Sequence, residues 1–132
     1  MKRKDPKFKY HYAMLLDDNE LDNFINQKTL EANYFSGKIY VNSSSKSALE
    51  FLNNIDKNIF PEIIFIDINM PMIDGFQFMK KFKTMFPEKF EETNIVILTS
   101  SLSEGDKTKS LEFSGKITFL NKPLTKDALM QL

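Results

Sequence analysis

Four short segments carry the side chains that could do chemistry. They are Asp17-Asp18, Asp67 at the head of Asp67-Ile68-Asn69-Met70-Pro71-Met72-Ile73-Asp74-Gly75, Thr99-Ser100-Ser101, and Lys122-Pro123. Each lies just beyond an apolar run: Met14-Leu15-Leu16, Ile63 to Ile66, Ile95 to Leu98, and Ile117 to Leu120. Runs of this length and composition read as buried strands, so two acids, a third acid, a hydroxyl and an ammonium all fall at strand carboxyl ends. A carboxylate delivered by an apolar strand is costly unless a cation or hydrogen-bond donors meet it. If the strands bearing Asp17-Asp18 and Asp67 are neighbours, three carboxylates converge. At ~4 Å each pair repels by roughly 1 kcal/mol in water and by several at intermediate dielectric.

The chain has no cysteine and a single histidine, His11, which no motif places near these segments. A hard divalent cation with oxygen ligands is therefore the natural counter-charge. Mg²⁺ takes one or two carboxylates, keeps several waters and leaves a position for a phosphoryl oxygen. Lys122 adds a second positive charge and Thr99 a hydroxyl donor, which suits charge developing on a phosphoryl group. A carboxylate is itself a competent phosphoryl acceptor.

The elements that must position these groups follow from periodicity and punctuation. A strand is expected over Phe8 to Leu16, then a helix capped by Asp18 or Asn19 and running to about Asn33, with Leu21, Phe24, Ile25 and Leu30 as its apolar stripe. Gly37 is expected to break the chain before a short strand, Lys38 to Val41. Ser43-Ser44-Ser45 then caps a helix with Ala48, Leu49, Phe51, Leu52 and Ile55 available for burial. Pro61 opens the central strand. Asp74-Gly75 starts a helix with Phe76, Phe78, Met79, Phe82, Met85 and Phe86, which Pro87 ends. A polar helix is expected over Ser103 to Ser114, weakened by Gly105, and Thr125 caps a short last helix. Strands alternating with helices predict an α/β fold with a parallel sheet covered on both faces. In such sheets the site lies beyond the strand carboxyl ends, where the strand order reverses.

Composition narrows the function classes. At 132 residues the chain suits one domain, and 18 Lys+Arg balance 18 Asp+Glu, so nothing in the net charge points to nucleic acid. The absence of cysteine excludes disulfides and thiolate metal sites and fits a reducing compartment. No apolar run is long enough to span a membrane and the N-terminus has no signal-peptide core, so a cytoplasmic protein is expected. Residues 1–8 read as a basic, solvated tail ahead of a single domain over residues 9–132.

Taken together, in this order and spacing, the four segments resemble a response regulator receiver domain of two-component signalling, over roughly residues 9 to 132. Asp-x-x-Met-Pro-x-x-Asp-Gly, here Asp67 to Gly75, is the most specific piece. The resemblance implies a flavodoxin-like, doubly wound sheet of five parallel strands in order 2-1-3-4-5. It implies phosphorylation of Asp67 from a phosphohistidine donor, and Mg²⁺ held by Asp17, Asp18, Asp67 and the backbone carbonyl of Asn69. It further implies that Lys122, Thr99 and the Ser100 N–H take phosphoryl oxygens, that Phe119 is the aromatic switch, and that the bond to Pro123 is cis. Implied partners are a sensor histidine kinase or histidine phosphotransfer protein and an unidentified downstream protein, with the chain a monomer or a phosphorylation-dependent dimer. Phe119 departs from the family's Tyr alternative, since it cannot donate a hydrogen bond.

Two other classes compete. Asp67-Ile68-Asn69 resembles the Asp-x-Asp of haloacid-dehalogenase-like phosphohydrolases, but Asn69 lacks the second carboxylate needed as acid and base. A receiver-like interaction module that is never phosphorylated would have no need of Asp17, Asp18, Asp67, Thr99 and Lys122 together.

Overall fold

The structure, a computed structural model, describes residues 8–100 and 117–132. The expected tail, apart from Phe8, and the expected helix over Ser103 to Ser114 lie outside the described residues. The strands are β1 (Tyr10–Leu16), β2 (Ser36–Asn42), β3 (Ile63–Asp67), β4 (Asn94–Thr99) and β5 (Ile117–Asn121). They pair in parallel in the order β2-β1-β3-β4-β5. Because β1 pairs with β2 on one side and β3 on the other, strand order reverses between β1 and β3, as the site requires.

The sheet is apolar on both faces because helices cover both. Along β1, Met14 and Leu16 join one core while Ala13 and Leu15 join the other. Along β3, Ile64 and Ile66 alternate with Ile63 and Phe65 in the same way. The first core packs α2 (Ser45–Asn54) and α3 (Gly75–Met85) through Ala48, Leu52, Phe78, Met79 and Phe82. The second packs α1 (Glu20–Ala32) and α5 (Lys126–Met130) through Leu30 and Leu129.

Caps fall where the sequence signals them. Asn19 Oδ1 accepts from the Asp22 N–H at the start of α1, Ser44 Oγ from Ser47 before α2, and Thr125 Oγ1 from Ala128 before α5. Asp74 and Gln77 form a reciprocal capping box at α3.

Three expectations are corrected. Gly37 lies inside β2 rather than before it. A Cβ there would stand 3.3 Å from the His11 carbonyl, so the residue serves a close strand approach. Pro87 ends α3 but also opens a further short helix, α4 (Pro87–Glu92), at whose first position its fixed φ is well suited. Buried Phe90 on α4 meets Phe82 edge to face at 5.7 Å and anchors that turn.

The third correction concerns α1. Leu21, Phe24 and Ile25 are exposed, and the buried residues are Asn23, Asn26 and Leu30. Those three also share one helical face. The helix lies beside the polar end of the sheet, where Asn23 Nδ2 donates to the Asp17 carbonyl at 2.8 Å and Asn26 Oδ1 accepts from Leu124 N–H at 3.2 Å. Backbone groups needing partners, rather than apolar surface, decided which face turned inward.

Gly75 fixes where α3 begins. Its N–H donates to the Ile68 carbonyl at 3.0 Å, and an added Cβ would sit 2.9 Å from the Asp67 carbonyl oxygen and 3.0 Å from Ile68 Cα. Gly75→Ala should therefore push α3 off the end of β3 and destabilise the protein by about 1–3 kcal/mol. Urea unfolding checks this, and an unchanged midpoint would mean that α3 retreats without cost.

Candidate functional site

Asp17 is the first residue beyond β1 and Asp67 the last of β3, and both are buried. They continue the odd-numbered rows of their strands, on the side covered by α1 and α5. Asp18, next along, is exposed. One carboxylate oxygen from each of Asp17, Asp18 and Asp67 lies within 4.8 Å of the others. The parallel pairing of β1 with β3 brings them together, which meets the condition the sequence left open and agrees with the order the resemblance implies.

Each buried acid is held by the loop that follows it. Asn19 N–H donates to Asp17 Oδ1 at 2.9 Å, and Asn69 N–H donates to Asp67 Oδ1 at 3.1 Å. The same two-residue step recurs because a turn beyond a strand end presents its amide back to the last side chain.

Lys122, just past β5, supplies the cation. Its Nζ lies 2.7 Å from Asp17 Oδ2, 3.0 Å from Asp22 Oδ2 and 3.4 Å from Asp67 Oδ1. Burial alone would favour the neutral amine. Hydrogen bonds to Asp17 and Asp22 and the charges of Asp17 and Asp67 outweigh it, and the ammonium is held well above its ordinary pKa. For Asp67, burial and the Asp17 charge push the carboxyl up to about 6, against the opposing pull of Lys122 and the Asn69 N–H. One lysine therefore does not neutralise the cluster.

The donor set suits a further hard cation. It consists of carboxylate oxygens, with no sulfur or imidazole. Asp17 Oδ2 is buried against the Lys122 ammonium at 2.7 Å, an ammonium it shares with Asp22 and Asp67. Carboxylates that share one ammonium among three, and a carboxyl held at about 6 by burial and a neighbouring charge, are both relieved by a divalent ion.

The remaining predicted residues lie on β4 and β5 and in the segments that follow β3, β4 and β5. Thr99 is buried at the end of β4, and its carbonyl accepts from Lys122 N–H at 2.9 Å, tying β4 to β5 at the level of the site. Ser100 follows and is exposed, as is Asn69. Phe119 is half-buried, packed against the core that contains Ile97. The Lys122–Pro123 peptide bond is cis.

Sequence reasoning missed Asp22, Asn23 and Asn26. Asp22 takes one side of Lys122, Asn23 holds the Asp17 carbonyl, and Asn26 holds the Leu124 amide. The available signal was their spacing: Asp22 and Asn26 stand four residues apart and Asn23 and Asn26 three, which puts polar groups on one face of the first helix just after the Asp17-Asp18 pair.

A doubly wound five-stranded parallel sheet thus carries an acid cluster and a lysine at its switch point. Residues 13–132 match the family described as response regulator receiver domain, and the chain belongs to that family. A two-component response regulator from Cytophaga hutchinsonii has the same fold, with a TM-score of 0.84 and 31% identity over 92% of each chain. Hybrid signal transduction histidine kinase A of Dictyostelium discoideum is 34% identical over 122 residues, covering 89% of this chain and 5% of that protein. Sensor histidine kinase CheAY of Helicobacter pylori is 27% identical over 119 residues, covering 90% of this chain and 14% of that protein. The chain thus corresponds to a small part of both kinases. It is a receiver domain of two-component signalling, related to those of response regulators and histidine kinases, and the phosphohydrolase alternative has no support among these relatives. Among the described residues, no helix is long and apolar enough to cross a membrane.

Proposed function

We propose that Asp67 accepts a phosphoryl group from a phosphohistidine donor in a Mg²⁺-dependent reaction. The observation that carries this is the placement of Asp67: a buried carboxylate at the end of a fully buried strand, facing Asp17, Asp18 and Lys122. Asp17, Asp18, Asp67 and the Asn69 carbonyl are the groups that would hold Mg²⁺. When bound, the ion supplies the positive charge that lets a phosphoryl group approach a carboxylate cluster. Asn69 N–H orients the Asp67 carboxylate, and Lys122 is the ammonium available to a phosphoryl oxygen. Thr99 and the Ser100 N–H are assigned to the remaining oxygens.

The output follows from local charge and packing. A phosphoryl group adds negative charge and acceptor oxygens next to β4 and β5. Thr99 turning towards it would open room beside Phe119, which is half-buried at the neighbouring strand and so able to respond. The donor is a histidine kinase or histidine phosphotransfer protein, in keeping with the kinase-linked relatives, and a further protein reads the altered surface.

Incubation with acetyl phosphate tests the reading. Labelling should be stoichiometric, alkali-labile and stopped by excess chelator. Full labelling in chelator, or catalytic turnover of a phosphomonoester in place of stable labelling, would reject it.

A further inference from the structure

Asp22 belongs to none of the motifs that identify the family, yet it is one of three carboxylates gripping Lys122. It occupies the third position of α1, and its N–H goes to the Asn19 cap. An acid there could have reached back to the Asn19 N–H in a capping box, but Asp17 Oδ1 already holds that group. The Asp22 carboxylate is instead turned onto Lys122 Nζ at 3.0 Å. One turn further along α1, Asn26 holds the Leu124 amide, so the helix grips the Lys122–Leu124 segment at two points.

We infer that Asp22 is a positioning residue that holds the Lys122 ammonium on the α1 side of the site and competes for it with a phosphoryl group on Asp67. This rests on the phosphoacceptor reading of Asp67. The distances set the order of the contest: Nζ is 2.7 Å from Asp17 and 3.0 Å from Asp22, but 3.4 Å from Asp67. To close on an oxygen beyond Asp67, the ammonium must give up a partner. Asp22 is the one that water replaces most readily, because its side chain is 35% exposed while those of Asp17 and Asp67 are 3% and 6% exposed. Asp22 is also outside the group of carboxylates placed to share an ion, so its effect runs through Lys122.

Asp22→Asn keeps the shape and the capped N–H while removing the competing charge. In saturating Mg²⁺, with trifluoroberyllate as the phosphoryl analogue, the variant should bind about three- to tenfold more tightly than the unmodified protein. The gain should vanish in a Lys122→Met background, because the competition has no object there. In metal-free protein the Lys122 ammonium resonance should shift in Asp22→Asn and return towards its original position in Asp22→Glu. Unchanged or weaker binding overturns the inference, as does an equal gain with Lys122→Met, which would mark a simple through-space charge effect. Should Lys122→Met bind too weakly to titrate, the resonance decides, and no shift in Asp22→Asn overturns the proposal. If the unmodified protein neither binds trifluoroberyllate nor is labelled by acetyl phosphate, the phosphoacceptor reading fails first and takes this inference with it.

Discussion

Asp67→Asn should abolish labelling by acetyl phosphate or a phosphohistidine donor and, in metal-free buffer, make the protein more stable. The first effect follows from the loss of the accepting oxygen. The second follows from the electrostatics. The Asp67 carboxyl is raised from 3.8 to about 6 by burial and by Asp17. The unfolded chain gives up this proton near pH 4, whereas the folded protein keeps it until about pH 6. Across that window the folded state binds more protons, so the contribution of this group to stability falls as pH rises. Above pH 6 the accumulated penalty is about 2–3 kcal/mol, and the Asn variant escapes it. The amide fits the site, since its oxygen can accept from Asn69 N–H as Asp67 Oδ1 does. Chemical denaturation at pH 7 and pH 4 without metal checks this: the variant should be the more stable at pH 7, and the difference should close at pH 4. A variant less stable than the parent at pH 7 would mean that the Lys122 attraction outweighs burial and Asp17 together.

That result bears on how much of the molecule could be read from its sequence. The strand order, and with it the meeting of Asp17, Asp18 and Asp67, came from the resemblance to receiver domains, while strand positions and caps were legible from apolar runs and their punctuation. The inner face of α1 was not. Leu21, Phe24 and Ile25 have the spacing of a core stripe, and Asn23 and Asn26 have the composition of a solvated one. Which stripe turns inward depends on the unpaired Asp17 carbonyl and Leu124 amide, and those are brought to α1 only by the assembled sheet. Asp22 was missed for the same reason. A helix-cap acid and a lysine ligand look alike in sequence, and the difference lies in Asp17 having already taken the Asn19 amide. Pro87 and Gly37 were read as breaks by their intrinsic preferences, but each sits in an element whose geometry accepts it.

The dependence of the cluster on Lys122 gives the other large effect: Lys122→Met should destabilise the metal-free protein by about 2–4 kcal/mol at pH 7. Methionine keeps much of the apolar stem, so packing changes little and the loss is mainly of charge. Asp17, Asp22 and Asp67 then each lose the ammonium that lies 2.7 to 3.4 Å from them. Breaking a buried pair ordinarily costs about 3–5 kcal/mol. Here the cost is capped, because Asp67, already held at about 6, escapes by taking up a proton. The deficit should therefore shrink at pH 5, where that proton is present before the substitution is made. Mg²⁺ should repair more of it than it adds to the parent protein, since an ion that binds only the folded state stabilises it in proportion to how tightly it binds. Urea unfolding of both proteins, with Mg²⁺ and with chelator, at pH 7 and pH 5, checks all three statements. Equal midpoints in chelator at pH 7 would show that solvation by water already compensates these carboxylates without the ammonium. The metal would then be needed for phosphoryl transfer alone, and not for holding the carboxyl ends of β1 and β3 together.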